Sequence, residues 1–455
     1  MVAGNQVAEK LDLLPYGISA TVSNLILQLF FTFILRGDDC QHACCREGAL
    51  GRGWLPMRWV YGLFMFSAMW AFGADIQVVG VGRDQAVPIS LQEFRPGTDE
   101  TSRLFMQVLR TNLDRWGWFR VHEGGAASYV LRGTARLTGR AFLVEVEAVD
   151  VRTSRPVYSQ RFREEPSEAR TVALRLADAL TEAIHRVPGV ASTRIAFVGS
   201  SDGKQDLYMI GADGHGMLQL TRDGVPSFRP AWHPGGTQIY YTSFLRGFPD
   251  IYRVDLESNR RSVVSREAGI NAGASVSPDG QRLALVLSRD GNPEVYVRQQ
   301  SDGRLTRITR TPHHAEASPV WSPDGRQIAF VSDLQGGPHV FTVSSEGGRP
   351  QRVSRSGSQN VSPDWGPDGR IVYSSRRHGR FQLVVYDPTN GTETQITDAP
   401  VDHENPSWGR DARHIVYARR DGRISSLYLL DMRTGSQVRL TTRLGDWYFP
   451  AWSRR

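Results

Sequence analysis

Cysteine is almost missing from this chain of 455 residues: Cys40, Cys44 and Cys45 stand together, and every position after 45 lacks one. The folded body therefore has neither a disulfide framework nor thiol chemistry, and the run CQHACC matches no zinc-ligand spacing. Lysine and arginine form no continuous run despite a net charge of +7. The excess comes mostly from scattered Arg, which reads as a solvated basic surface, and nucleic acid is not an expected partner. The apolar stretch from Ile18 to Leu35 is broken by Ser19, Thr21, Ser23, Asn24, Gln28 and Thr32, which makes a poor spanning helix.

At this length, with 40% hydrophobic and 10% aromatic residues, the chain reads as globular, with two domains. From Met57 the text MRWVYGLFMFSAMWAFGAD gives a charged head, an apolar run from Trp59 to Phe72 and small residues at Ala71 and Gly73. That is a signal peptide over 57–73, with cleavage after Gly73 and a mature start near Ala74. Residues 1–56 read as an over-extended start, with Met57 as the true one. Residues 74–190 then read as an α/β domain. Strands are expected at Ile76 to Val81, Val87 to Phe94, Tyr129 to Thr138, Ala141 to Arg152 and Val157 to Phe162. One helix should run from a cap at Thr98 to about Arg115, with Leu104, Val108 and Leu113 near one face. A second, capped by Ser167, carries Ala173, Leu176, Ala177, Leu180 and Ile184 and stops at Pro188-Gly189.

From Phe228 onward one design returns: FRPAWHPGG, GASVSPDG, SPVWSPDG, SPDWGPDG, NPSWGRDA and finally FPAWSRR. Counted at the central aromatic or Val, the copies fall at 232, 276, 321, 365, 408 and 452, steps of 44, 45, 44, 43 and 44. Each period holds the box and three further strand signals, with Pro-Asp-Gly suited to the first hairpin. Four short strands in about 40–45 residues make a propeller blade. The boxes run out of phase with the IAF-type strands, whose first copy at Ile195 has no box before it. The C-terminal FPAWS strand must complete that blade. The expected fold is an α/β N-terminal domain followed by an all-β six-bladed β-propeller over 191–455, closed by strand exchange between the repeat's start and the C-terminus. Trp232, Trp321, Trp365 and Trp408 are expected between blades, and Trp447 and Tyr448 at the rim.

The boxes, RIAFV at Arg194, GGRPQRVS, SQN at Ser358 and the closing FPAWS together resemble the TolB family, the periplasmic propeller proteins of the Tol-Pal system. The resemblance covers about residues 75–455. It implies a periplasmic protein that is not an enzyme and needs no cofactor. Its implied partners are a Pal-like peptidoglycan-associated lipoprotein, bound by the propeller, and a TolA-like inner-membrane protein, bound by the N-terminal region. The protein would then be peripheral to membranes through these partners.

Propeller geometry gathers two classes of loop on one rim. Entering the innermost strands are Asn271, then His313, His314 and Glu316, then Gln359 and Asn360, then Asp402, His403, Glu404 and Asn405. Between the second and third strands lie Arg376, Arg377 and Arg380, with Arg246, Arg289, Arg419, Arg420 and Arg423 in the same class. This set reads as a docking surface for an acidic protein. The alternative takes His313, His314, His403 and Glu404 as ligands of a metal-dependent hydrolase or lyase using the propeller channel, which also leaves a channel-bound cation open.

Overall fold

The structure, a computed structural model, describes residues 86–455 apart from 123–125, 201–203 and 443–444. The N-terminal extension, the signal peptide, the cysteines and the strand expected at Ile76–Val81 fall outside those residues.

The α/β domain is built from β1 (Val87–Ser90), β2 (Phe94–Pro96), α1 (Glu100–Arg115), β3 (Phe119–His122), β4 (Tyr129–Thr138), β5 (Ala141–Asp150), β6 (Arg155–Glu164) and α2 (Ala169–His185). The sheet order is β3-β1-β4-β5-β6, with β2 also on β4. β1 lies parallel to both neighbours, whereas β4, β5 and β6 form an antiparallel meander. Both helices cover one face, so the domain has two layers. Asp99, not Thr98, caps α1: its carboxylate accepts from the Ser102 amide at 2.9 Å and the Ser102 hydroxyl at 2.7 Å. A carboxylate is the better acceptor at the positive end of a helix. Phe105, Val108, Leu109 and Leu113 form the buried stripe, and Leu104, expected there, is 40% exposed because it lies at the stripe's edge. Ser167 does not cap α2; it sits in a short 3-10 turn, Pro166–Glu168. Strand β3 was not expected, since FRVH is too short to carry a period of its own.

The propeller has six antiparallel four-stranded sheets. Blades 2 to 6 start with inner strands Ser227–Trp232, Asn271–Val276, Glu316–Trp321, Asn360–Trp365 and Asp402–Trp408. Blade 1 takes its inner strand, Asp446–Trp452, from the far end of the chain and pairs it with Arg194–Ser200, Tyr448 opposite Val198 and Trp452 opposite Ile195. Every inner strand carries a bulge at a residue with positive φ: Arg229 (47°), Gly273 (64°), Ser318 (58°), Ser362 (53°), Asn405 (52°) and Phe449 (48°). A proline follows five of these six, so the box sequence specifies a kink that turns each inner strand around the axis.

The residue at the start of the second strand, or just before it in blade 5, alternates around the ring as Arg194, Gln238, Arg282, Gln327, Arg370 and His414. Each of the three arginines reaches into the next blade, lying over Trp232, Trp321 and Trp408 at 5.2, 4.6 and 4.9 Å from the ring centre. Each also donates to a turn carbonyl there: Gly236 at 2.7 Å, Gly325 at 3.1 Å and Ala412 at 2.8 Å. The tryptophans thus pack between blades, as expected. Trp447, by contrast, is not at the rim. It is fully buried, edge-on to Phe197 and Tyr208, because the exchanged strand seats it in blade 1 beside Ser425 of blade 6, whose hydroxyl donates to its carbonyl at 2.9 Å, at the far end of the strand from the joint with the α/β domain.

That joint lies on the face made by the turns between first and second and between third and fourth strands. From blade 6, Arg413 pairs with Asp431 at 2.6 Å, donates to the Gly117 carbonyl at 3.1 Å and lies over Trp118 at 4.5 Å. Arg410 meets Asp178 at 3.1 Å, and Asp178 also holds the linker amides of Ala191 and Ser192. From blade 1, Asp213 bonds Arg170 and Arg115. Trp116 stands edge-on to His414 at 5.2 Å, and one apolar cluster runs from the α/β domain through these blades.

Candidate partner-binding face

The opposite face, made by the loops entering inner strands and those between second and third strands, carries the residues singled out from the sequence. Several of them are parts of the fold. Asn271 is fully buried, accepting from Ser265 and Glu267 and donating to the Glu267 and Gly269 carbonyls, so it shapes its own loop. Asn360 is fully buried against His339, 2.9 Å away, and also donates to the Ser356 carbonyl. Asp402 accepts from the Phe381 amide at 2.9 Å and lies 3.6 Å from Arg380. Gln359 is half-buried and offers its carbonyl to the Arg376 amide.

Glu316 is buried beside a second buried carboxylate, Glu294. Its oxygens accept from Thr311 at 2.6 Å and Ser332 at 3.0 Å, while Glu294 takes Arg307 at 2.6 Å. Burial first, and then the Glu294 charge, push Glu316 up to about 9. Glu294 is held below the usual range in spite of its own burial, by hydrogen bonds from neighbours including Thr309, Arg307 and Thr311. A like-charged pair with one guanidinium resolves itself by keeping one member protonated.

The four groups considered as metal ligands are not brought together. His313 is exposed and His314 binds Asp333 at 3.2 Å, both on blade 4, whereas His403 and Glu404 are on blade 6 with blade 5 between. Glu404 pairs with Arg420 at 3.2 Å. His403 is fully buried, 5.4 Å from the Tyr417 ring, and burial together with Arg419 lowers it to about 4, so it is neutral at physiological pH. Among the described residues no group of three His, Cys, Asp or Glu could hold a metal. Asn405 belongs to the inner ring: its side chain donates to Ser362 of the neighbouring blade at 3.0 Å.

The arginines divide. Arg380 is 57% exposed at the hairpin tip, and Arg376 is half-buried, over Phe381 at 5.8 Å. Arg377 was expected on an exposed loop but is only 17% exposed. The second strand runs on through it, and it donates to Ser356 at 2.6 Å and Gln395 at 3.3 Å with Glu393 at 3.9 Å. Arg246 is exposed on blade 2, and Arg289 is tied to Glu267 at 2.7 Å. Sequence reasoning missed two apolar residues on this face: Phe248 (43% exposed), in the loop between second and third strands of blade 2, and Ile424 (55% exposed), which opens the third strand of blade 6. An aromatic inside the Gly-Phe-Pro loop was the available signal. Exposed aromatic and aliphatic groups beside arginine are the composition of a protein interface.

The family model described as the TolB beta propeller domain matches residues 181–455. The Tol-Pal system protein TolB of Desulfosudis oleivorans is 31% identical over 185 residues, covering 41% of this chain and 42% of that protein. The protein of the same name from Alcanivorax borkumensis is 31% identical over 256 residues, covering 50% of this chain and 58% of its own. The chain thus spans about half the length of the curated relatives it matches. The crystal structure of TolB from Acinetobacter baumannii aligns with a TM-score of 0.73 at 25% identity, over 82% of this chain and 98% of that one. With the six blades, the exchanged strand and a family match over more than half its length, this chain belongs to the TolB β-propeller family.

Proposed function

We propose that this chain is a non-catalytic periplasmic scaffold of the Tol-Pal type. Exported by the signal peptide at 57–73, it captures a Pal-like peptidoglycan-associated lipoprotein on the loop face of the propeller. The segment before β1 engages a TolA-like inner-membrane protein. The scaffold so links outer membrane and cell wall to an energised inner-membrane complex, serving envelope integrity and constriction at division. The names of the relatives support this reading, and one observation carries its residue-level form: Phe248 and Ile424 stand exposed on the face that also carries Arg246, Arg376 and Arg380, away from the α/β domain. Loops set on a closed ring change shape little on binding, so apolar anchors there lose little freedom when covered. Arginines around them favour an acidic partner and speed its approach.

The test is isothermal titration of the soluble domain of a Pal-like lipoprotein. Phe248→Asp, which removes an anchor and adds repulsion, should weaken binding at least tenfold, by the scale of a central interface aromatic. Wild-type affinity should fall as salt rises, since rim charges are screened over about 8 Å at physiological ionic strength. Unchanged affinity in the variant would move the docking site elsewhere.

A further inference from the structure

The lower half of the central channel, from the bulge ring to the turn face, forms an open pocket of about 340 Å³. Its walls are apolar: Pro230, Pro319, Pro363, Pro406 and Pro450, with box tryptophans between them. Above, the ring is closed by side chains that meet on the axis. Arg229 donates to the Ser362 hydroxyl at 3.4 Å, Asn405 donates to the same hydroxyl at 3.0 Å, and Phe449 stands edge-on to Phe228 at 5.9 Å. Below, Arg454 reaches from blade 1 across the mouth to the Trp365 carbonyl at 2.8 Å.

Three ionisable side chains line this space, Arg229, Asp364 and Arg454. Asp364 is engaged: it accepts the Trp408 amide at 2.6 Å and lies 3.9 Å from Arg454. Arg229 is half-buried and lines the pocket. Burial lowers it to about 10, with Asp364 holding it up, so it stays protonated at neutral pH. Five N–H donors answered by one neutral hydroxyl at 3.4 Å leave a planar fork unmatched in a place of low dielectric. Asn405 Oδ1, on the blade 6 side of the same chamber, has no hydrogen-bond partner. With two guanidinium groups to one carboxylate, the chamber carries an excess positive charge, opposite to what the channel-bound cation left open by the sequence would require.

We propose that this chamber is a binding site for a small carboxylate, held bidentately by the Arg229 fork with Arg454 closing the mouth behind it. A carboxylate matches the fork's two parallel donors, and the proline and tryptophan walls suit an apolar body of a few carbons. Two sources share this chemistry: a free short-chain acid, and the carboxylate end of a peptide that enters from the turn face.

Thermal melting and saturation-transfer NMR of the full chain test the site with succinate, a short peptide with a free C-terminus, the same peptide amidated, and inorganic phosphate, all at matched ionic strength. Succinate, the free-acid peptide or both should raise the melting temperature of the wild type by mass action. Amidation should abolish the peptide's effect. A free acid is the source if only succinate acts, and an inserted peptide end if only the peptide does. Arg229→Asn, chosen because Asn tolerates positive φ, should weaken binding at least tenfold, and Arg454→Gln should weaken it several-fold. The second variant decides the matter if the first does not fold. Binding of phosphate alone, no response to either carboxylate, or unchanged response in the folded variants overturns the proposal.

Discussion

Removing Trp447 tests whether the exchanged strand holds the ring closed. This side chain is fully buried, 5.6 Å from the Phe197 ring and 5.3 Å from the Tyr208 ring, both edge-on. It also belongs to the cluster that joins blade 1 to the α/β domain. Trp447→Ala empties a core position, for which large-to-small changes of this kind cost about 3–5 kcal/mol, the two aromatic contacts accounting for about 0.5–1.5 kcal/mol each. Against a total stability of about 5–15 kcal/mol this is a large fraction. At about 2 °C per kcal/mol, the value for larger domains, the melting temperature should fall by about 6–10 °C. Calorimetry with circular dichroism reads this directly. Deleting residues 446–455 should do more, because it strips the inner strand from Arg194–Ser200 and exposes an unpaired edge, so loss of a cooperative melt and aggregation are expected. A Trp447→Ala protein within about 1 kcal/mol of the wild type, or a truncated chain that melts unchanged, would refute the closure argument.

Two further outcomes follow from the loop face. Glu316 has a folded pKa of about 9 against an ordinary value near 4.5, so its contribution is fully present below pH 4.5 and is lost as the pH rises towards 9. Denaturant titrations from pH 5 to 9 should show the wild type weakening across that window and Glu316→Gln weakening less; parallel curves would contradict the assignment. Arg377→Glu would lose its bonds to Ser356 and Gln395 and place a carboxylate near Glu393, costing about 1–3 kcal/mol, whereas Arg380→Glu at the exposed tip should stay within about 1 kcal/mol of the wild type, as a denaturation series will show.

Blade count and closure were legible because a box repeated at 43 to 45 residues is dictated by local chemistry: a Pro-fixed kink, an aromatic and a Gly-bearing turn. The alternation of Arg194, Arg282 and Arg370 with Gln238 and Gln327 was also on the page, yet its meaning depends on which blade each arginine reaches. Trp447 looked like a rim residue because its partners, Phe197 and Tyr208, are more than 230 positions away in the chain. The loop residues were harder still. Asn271, Asn360 and Asp402 are polar and open strands, the pattern of exposed binding groups and of buried loop anchors alike, and only burial separates the two. Nor could pairing rules show that Glu294 and Glu316, on neighbouring blades, share one Thr311 hydroxyl.

The reading of the loop face as the partner's seat is tested most directly by footprinting with single cysteines, which the absence of cysteine after position 45 makes clean once any leader is removed. Arg380→Cys on the loop face and Arg326→Cys on the turn face, both at exposed positions, are each labelled with an environment-sensitive fluorophore and titrated with the soluble domain of a Pal-like lipoprotein. The account predicts a saturable spectral shift at position 380 and none at 326. A shift at 326 with none at 380 would place the partner on the opposite face and contradict it.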